Sequence, residues 1–218
     1  MWNLGWEELH QKKSWGKYPC EELIRFMMST YKNKKNIKVL ELGCGTGANL
    51  SFLSKEGFKT YGIDGSKTAI FNAKKFLKRE KCFAHLKIGD IIHLPYQNAF
   101  FDCVIDVECL YSNSLSDTKK INTEVIRVLK KGGYFFSKTF STSFSPKKIQ
   151  KKNIIEKNTY KKIPDCVFNS NYGLIRLTSE KDISKIYGLY KNVKFDYVIR
   201  SLNNRNITIK EWIIKGKK

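Results

Sequence analysis

The sequence predicts an α/β fold, a Rossmann-like doubly wound sheet, and three observations predict it. An apolar run, Ile37–Leu42, ends in a loop with glycine at every second position, Gly43-Cys44-Gly45-Thr46-Gly47, and an amphipathic segment follows. That order reads as a buried strand, a tight turn and a helix start. A second run, Phe58–Ile63, alternates apolar and polar residues and closes on Asp64. Two more strand-like runs, Phe101–Val107 and Tyr134–Phe140, flank a segment whose apolar residues Ile121, Val125, Val128 and Leu129 recur at helical spacing. Strands separated by helices build a sheet with helices on both faces.

Taken along the chain, residues 1–35 form an N-terminal cap with a helix over Glu21–Thr30, preceded by Trp2, Trp6, His10, Trp15 and Gly16-Lys17-Tyr18-Pro19. Residues 36–218 form the core. Its first loop lets a ligand touch backbone, because glycine has no Cβ in the way. The helix behind the loop offers free N–H groups to that ligand, so the chain is expected to bind a nucleoside-type cofactor. The spacing is G-x-G-x-G, not the dinucleotide G-x-G-x-x-G, with Glu41 two residues ahead. Asp64, 23 residues after Glu41, stands at a strand end where a carboxylate can accept from both ribose hydroxyls. The competing role, N-cap of the Ser66–Leu77 helix, suits Ser66 better. His85 falls in a predicted strand. Lys130-Lys131-Gly132-Gly133 reads as a helix stop, with lysines on the helix dipole and a glycine free to turn left-handed. Thr178–Tyr190 is the last helix, Phe195–Ser201 and Ile207–Ile214 close the sheet as a hairpin around Asn203-Asn204, and Lys215–Lys218 is expected to be a disordered tail.

Composition narrows the class. At 218 residues the chain is expected to be one domain, and 41% hydrophobic content suffices for a full core. No run is long and apolar enough to span a bilayer, and the opening residues do not read as a signal peptide. Six cysteines without a C-x-x-C pair point to free thiols in a cytoplasmic protein, and no ligand cluster suggests a metal. The net charge is +21, but arginine occupies only positions 25, 79, 127, 176, 200 and 205. Nucleic-acid readers lean on arginine, so a lysine-dominated charge is weak support for RNA. Ser145–Lys162 concentrates Lys147, Lys148, Lys151, Lys152, Lys157, Lys161 and Lys162 within a segment, about 141–177, expected to be either a solvated, mobile insertion or a lid over an anionic acceptor.

Glu41–Gly47 closely resembles the first motif of class I S-adenosylmethionine-dependent methyltransferases. Gly89-Asp90-Ile91-Ile92-His93-Leu94-Pro95-Tyr96 with Phe100–Asp106, and Leu129-Lys130-Lys131-Gly132-Gly133-Tyr134, resemble later motifs of the small-molecule, quinone-biosynthesis type. The resemblance covers about residues 37–140. It implies a seven-stranded, mostly parallel sheet with an antiparallel last strand, and S-adenosylmethionine as cofactor. It assigns cofactor binding to Glu41, Gly43, Cys44, Gly45, Gly47, Asp64, Gly65, Asp90 on the adenine amino group and Ile91 on the base. In this fold the segment ahead of the first strand lies over the cofactor, where Lys17 could pair with its carboxylate. Glu108 and Tyr111, after the fourth strand, and His10 from the cap are the candidate bases. The Trp-Gly-Lys-Tyr-Pro opening is similar to that of bacterial enzymes acting on surface-carbohydrate precursors. Asp106-Val107-Glu108-Cys109 lacks the prolines of base-amine methyltransferases, and Pro19-Cys20 lies outside the core, against a covalent cytosine-C5 mechanism.

The expected function is methyl transfer to a small, anionic metabolite, a sugar or phosphate-linked precursor of a surface polysaccharide. The alternatives are an RNA methyltransferase and a cofactor-binding subunit without catalysis; a dehydrogenase fits the loop spacing least.

Overall fold

The computed structural model describes residues 3–12, 16–143, 149–161 and 173–218. Trp2, Trp15, Lys147, Lys148, Lys162 and Cys166 lie outside the described residues. Two helices, α1 (Gly5–Lys12) and α2 (Glu21–Thr30), precede the core. Then follow β1 (Lys38–Leu42), α3 (Ala48–Lys55), β2 (Lys59–Asp64), α4 (Lys67–Arg79), β3 (His85–Ile88), β4 (Phe101–Val107), α5 (Leu115–Val128) and β5 (Leu129–Phe140). The insertion contributes β6 (Ile154–Glu156), β7 (Thr159–Tyr160) and β8 (Ile175–Arg176), and the chain closes with α6 (Glu180–Tyr187), β9 (Lys191–Leu202) and β10 (Ile207–Lys217).

Seven strands form one sheet in the order β3-β2-β1-β4-β5-β10-β9. β1 to β5 pair in parallel, and β10 runs antiparallel to both β5 and β9. The doubly wound sheet expected from sequence is therefore observed. β6, β7 and β8 make a separate three-stranded sheet, which the sequence reading did not anticipate.

Alternation along buried strands divides the core between two faces. Leu40, Val104, Phe135 and Ile214 pack on one face with Ile121, Val125 and Val128 of α5 and Ile183, Ile186 and Tyr187 of α6. Their neighbours Val39, Cys103, Ile105, Phe136 and Ile213 pack on the other with Leu23, Phe26 and Met27 of α2 and Leu53 of α3. Because β2 and β3 lie on one side of β1 and β4 and β5 on the other, the strand order reverses between β1 and β4. Ligands bind at that switch point, outside the carboxyl ends of the strands.

Two local expectations are corrected. The Lys130–Gly133 helix stop does not cap a helix: α5 ends at Val128 and Leu129 is already extended, paired with Phe101. Register with β4 resumes only at Cys103 opposite Tyr134, so Lys130–Gly133 form an irregularity of β5, with Gly132 left-handed at φ +77°. Lys130 meets Asp102 at 2.6 Å. The tail is also ordered. Lys215, Gly216 and Lys217 pair with Phe136, Phe135 and Tyr134, and the Lys218 N–H donates to the Gly133 carbonyl at 3.0 Å. A charged tail looked free because its partner, the Gly133–Phe136 stretch of β5, is remote in sequence.

Deleting residues 215–218 should therefore lower unfolding free energy by about 2–4 kcal/mol, at roughly 1 kcal/mol per ladder hydrogen bond. Chemical denaturation reads this directly; unchanged stability would mean that the tail does not pair in solution.

Candidate functional site

A cavity of about 360 Å³ opens at the switch point, within the range of small-molecule sites. The β1 loop enters it with Gly43, Gly45 and Gly47 at φ +60°, +50° and +85°, conformations that side chains with a Cβ resist. A Cβ on Gly43 would stand 2.3 Å from Cys109 Sγ, so this glycine also sets how closely the tips of β1 and β4 approach.

Asp64 ends β2 and is buried. Its Oδ2 accepts from the Gly45 N–H at 2.9 Å and its Oδ1 from the Ser66 N–H at 2.8 Å. Burial raises its pKa against those bonds and against the nearby His10. Each carboxylate oxygen keeps a second lone pair for a ligand hydroxyl. Ser66 is the N-cap of α4, accepting from the Ala69 N–H at 2.9 Å. Glu41 is 3% exposed; its Oε1 accepts from Asn49 Nδ2 at 2.6 Å, while its buried Oε2 has no partner. Burial pushes its pKa up to about 8, the Asn49 bond opposing. A buried carboxylate oxygen without a donor, beside a left-handed glycine loop, suits the ammonium group of an amino-acid-bearing ligand. Gly89, Asp90 and Ile91, after β3, complete this end, and Asp90 closes a turn by accepting from the Ile92 N–H at 3.1 Å.

The cap crosses the cavity. Glu7 of α1 accepts from Ser66 Oγ, Thr68 Oγ1 and the Thr68 N–H, so α1 is pinned to the N-terminus of α4. Burial opposes ionisation of Glu7, but these bonds hold its pKa below the usual value. Trp6, on the same helix, donates from Nε1 to Ser112 Oγ at 2.9 Å beyond β4 and meets Tyr111 edge to face at 6.5 Å.

At the other end, Glu108 follows β4 at φ +56° and binds Lys138 Nζ at 2.9 Å. Lys138 is buried on β5, with Glu211 at 3.2 Å and Glu22 at 4.0 Å; Arg200 reaches Glu211 at 3.4 Å. Burial opposes the charge on Lys138, but Glu108, Cys20 and Glu211 raise its pKa overall. Arg176 of β8, 2% exposed, donates to the carbonyls of Asn113 at 3.3 Å and Leu110 at 3.4 Å, tying the insertion to the turn after β4.

Of the residues named from sequence, Glu41, Gly43, Cys44, Gly45, Gly47, Asp64, Gly65, Asp90, Ile91, Glu108, Tyr111 and His10 all line this cavity. Lys17 does not: Gly16, Tyr18, Pro19 and Cys20 line it, and Lys17 between them is exposed. His10 lies by the glycine loop, not with the other candidate bases. Its Cε1 is 3.8 Å from the Cβ position of Gly45, its charged neighbours are Asp64 and Glu7, and burial lowers its pKa. Glu7, Lys138, Glu211 and Arg176 were missed, because each acts on partners far along the chain and carries no local pattern.

The profile of the methyltransferase domain family matches residues 33–188. The chain belongs to this family. Its sheet is that of the class I S-adenosylmethionine-dependent methyltransferases. Among curated relatives, the fatty-acid O-methyltransferase of Mycolicibacterium smegmatis is 34% identical over 126 residues, 53% of this chain and 43% of that protein. The norajmaline N-methyltransferase of Rauvolfia serpentina is 29% identical over 116 residues, 51% of this chain and 39% of that protein. The chain thus matches less than half the length of these relatives. A solved S-adenosylmethionine-dependent methyltransferase from Methanosarcina mazei shares the fold, with a TM-score of 0.72 over 88% of this chain and 96% of that one at 20% identity. Among the described residues of this methyltransferase-domain chain, no helix is long and apolar enough to cross a membrane, and no cluster of His, Cys, Asp and Glu could hold a metal ion.

Gly43→Ala should cost about 2–4 kcal/mol of stability, combining roughly 1–2 kcal/mol of left-handed strain with about 1–3 kcal/mol of overpacking. Cys109→Ala in the same chain should recover only a share of the second part, because it removes Sγ at 2.3 Å and keeps the Cβ at 2.8 Å. A double-mutant cycle by chemical denaturation checks it; strict additivity would show that the Cys109 contact is not what demands glycine.

Proposed function

We propose that this chain binds S-adenosylmethionine at the β1–β2–β3 end of the cavity and methylates a small molecule admitted at the Glu108–Tyr111 end. The carrying observation is the unpartnered, buried Oε2 of Glu41 beside the left-handed glycine loop. In this reading Glu41 receives the cofactor's ammonium group, Asp64 its ribose hydroxyls, and Asp90 with Ile91 its adenine. When bound, the cofactor supplies a methyl group on a sulfonium sulfur, a group already activated for displacement. The protein's task is alignment, exclusion of water and removal of a proton from the acceptor. Pinned by Glu7 and Trp6, α1 supports the first two; Glu108 is the base best placed for the third.

A cavity of about 360 Å³ between strand tips and a cap helix suits a small acceptor better than an RNA chain. The finer expectation, an anionic sugar or phosphate-linked precursor of a surface polymer, rested on the lysine-rich segment for its charge and on the Trp-Gly-Lys-Tyr-Pro opening for its class. The segment's described lysines, Lys151, Lys152, Lys157 and Lys161, do not line the cavity, so the site lends that acceptor no support.

Asp64→Ala should weaken S-adenosylhomocysteine binding by roughly 10- to 100-fold, the worth of a charged hydrogen-bond acceptor; unchanged affinity in calorimetry would remove the ribose assignment. Glu41 gives a pH signature. Its pKa near 8 means that it is largely protonated at pH 7, and pairing with an ammonium group must expel that proton. Binding at pH 7 should release a proton, affinity should rise with pH toward 8, and Glu41→Gln should abolish Glu41's share of that release. Calorimetry in buffers of different ionisation enthalpy measures it; equal release from both proteins would refute the pairing.

A further inference from the structure

The cavity's charge runs opposite to that of the chain. The sequence has 41 lysines and arginines against 20 acids. Among the described residues, however, the cavity is lined by the acidic side chains of Glu41, Asp64, Asp90 and Glu108, of which Glu41 is largely protonated at pH 7 until a cation binds, and by one lysine, Lys138. Glu41, Asp64 and Asp90 gather at the cofactor end, so the acceptor end is decided by what surrounds Glu108.

Glu108, Glu211 and Glu22 face Lys138 at 2.9, 3.2 and 4.0 Å, and Arg200 faces Glu211 at 3.4 Å. Burial pushes Glu211 up to about 7, so it titrates near neutral pH. With Glu211 protonated the cluster is neutral; with it ionised the cluster carries one negative charge. In neither state is it net positive. An anionic acceptor here would find Lys138 already caged by carboxylates and would face the like charge of Glu108. A protonated amine meets the reverse: a carboxylate to receive its N–H, and the rings of Trp6 and Tyr111, which attract cations.

Resting on the methyl-transfer reading, we propose that the acceptor is an amine, bound as its ammonium form against Glu108, and that Glu108 takes the proton it must lose to become nucleophilic. The N–H bond breaks toward a Glu108 oxygen and the freed lone pair forms the N–C bond. The electron pair of the broken C–S bond stays on sulfur, leaving a thioether. Lys138 is then a positioning residue that holds the Glu108 carboxylate at the cavity wall.

Calorimetry on the full chain saturated with S-adenosylhomocysteine, using benzylamine, benzyl alcohol and phenyl phosphate as probes of similar shape, tests this. Benzylamine should bind most tightly and phenyl phosphate should show no saturable binding. Glu108→Gln should weaken benzylamine about tenfold or more, the loss of one charged hydrogen bond, and leave S-adenosylhomocysteine affinity unchanged. Glu108→Asn, which tolerates the left-handed backbone at this position, serves if the first variant does not fold. Equal benzylamine binding by wild type and variant, equal binding of amine and alcohol, or tighter binding of phenyl phosphate overturns the amine assignment and leaves the methyl-transfer reading standing. Absence of saturable S-adenosylhomocysteine binding overturns both.

Discussion

The carboxylate of Asp106 organises the molecule's working end. It is fully buried at the end of β4, where its Oδ1 accepts from the N–H groups of Cys109 at 2.9 Å and Leu110 at 3.0 Å, and its Oδ2 from Ser137 Oγ at 2.6 Å. Burial pushes its pKa up to about 6, and those three bonds work against that rise. The result is a tight turn immediately after the strand. That turn places Cys109 against Gly43, forces Glu108 into left-handed backbone, and sends Tyr111 toward the cap. Loss of this one acceptor would leave the Cys109 and Leu110 N–H groups unpaired, each costly away from water, and would leave Ser137 Oγ with Tyr187 alone at 3.3 Å. The contact with the glycine loop and the backbone of Glu108 are thus set by the same carboxylate.

The cap answers this geometry from above. One face of α1 reaches α4 through Glu7, and Trp6 reaches Ser112 and Tyr111. One short helix therefore touches the elements that follow β2 and β4, on opposite sides of the switch point. A ligand between those tips is enclosed by a helix whose own anchors are polar groups at cavity-lining elements. Arg176 plays the matching part from the insertion, fixing the carbonyls of Leu110 and Asn113. Cap and insertion hold the turn after β4 from two directions, which is how a segment of irregular backbone can present Glu108 in one orientation.

The core was legible because its signals are local. Ile37–Leu42 is apolar on both faces, as a strand buried on both sides must be, and Gly43, Gly45 and Gly47 occupy the left-handed conformations that only their spacing advertised. Ser66 was recognised as an N-cap from its place before a periodic run, and it is one. What failed was non-local. Lys130–Gly133 has the composition of a helix end, yet Leu129 is claimed by Phe101 across the sheet and Gly133 by Lys218 from the far end of the chain. Likewise Lys17 has the right charge for a carboxylate partner, but its neighbours are the residues that face the cavity. Tertiary pairing overrides composition when the partner is distant.

The same contrast explains why the net charge of +21 was a poor guide to the ligand. Charges beyond about 8–10 Å are largely screened at physiological ionic strength, so lysines spread over the surface contribute little inside a partly closed cavity. A carboxylate in contact at about 4 Å acts with roughly 4 kcal/mol at an effective dielectric near 20. Asp64, Asp90 and Glu108 line the cavity, and among the described residues the surface lysines do not. A cofactor carrying both a sulfonium and an ammonium group, bound in this cavity, would therefore meet local negative charge, even though the chain as a whole is strongly basic. The local term wins by distance, and the only lysine among the described cavity-lining residues is already held by acids.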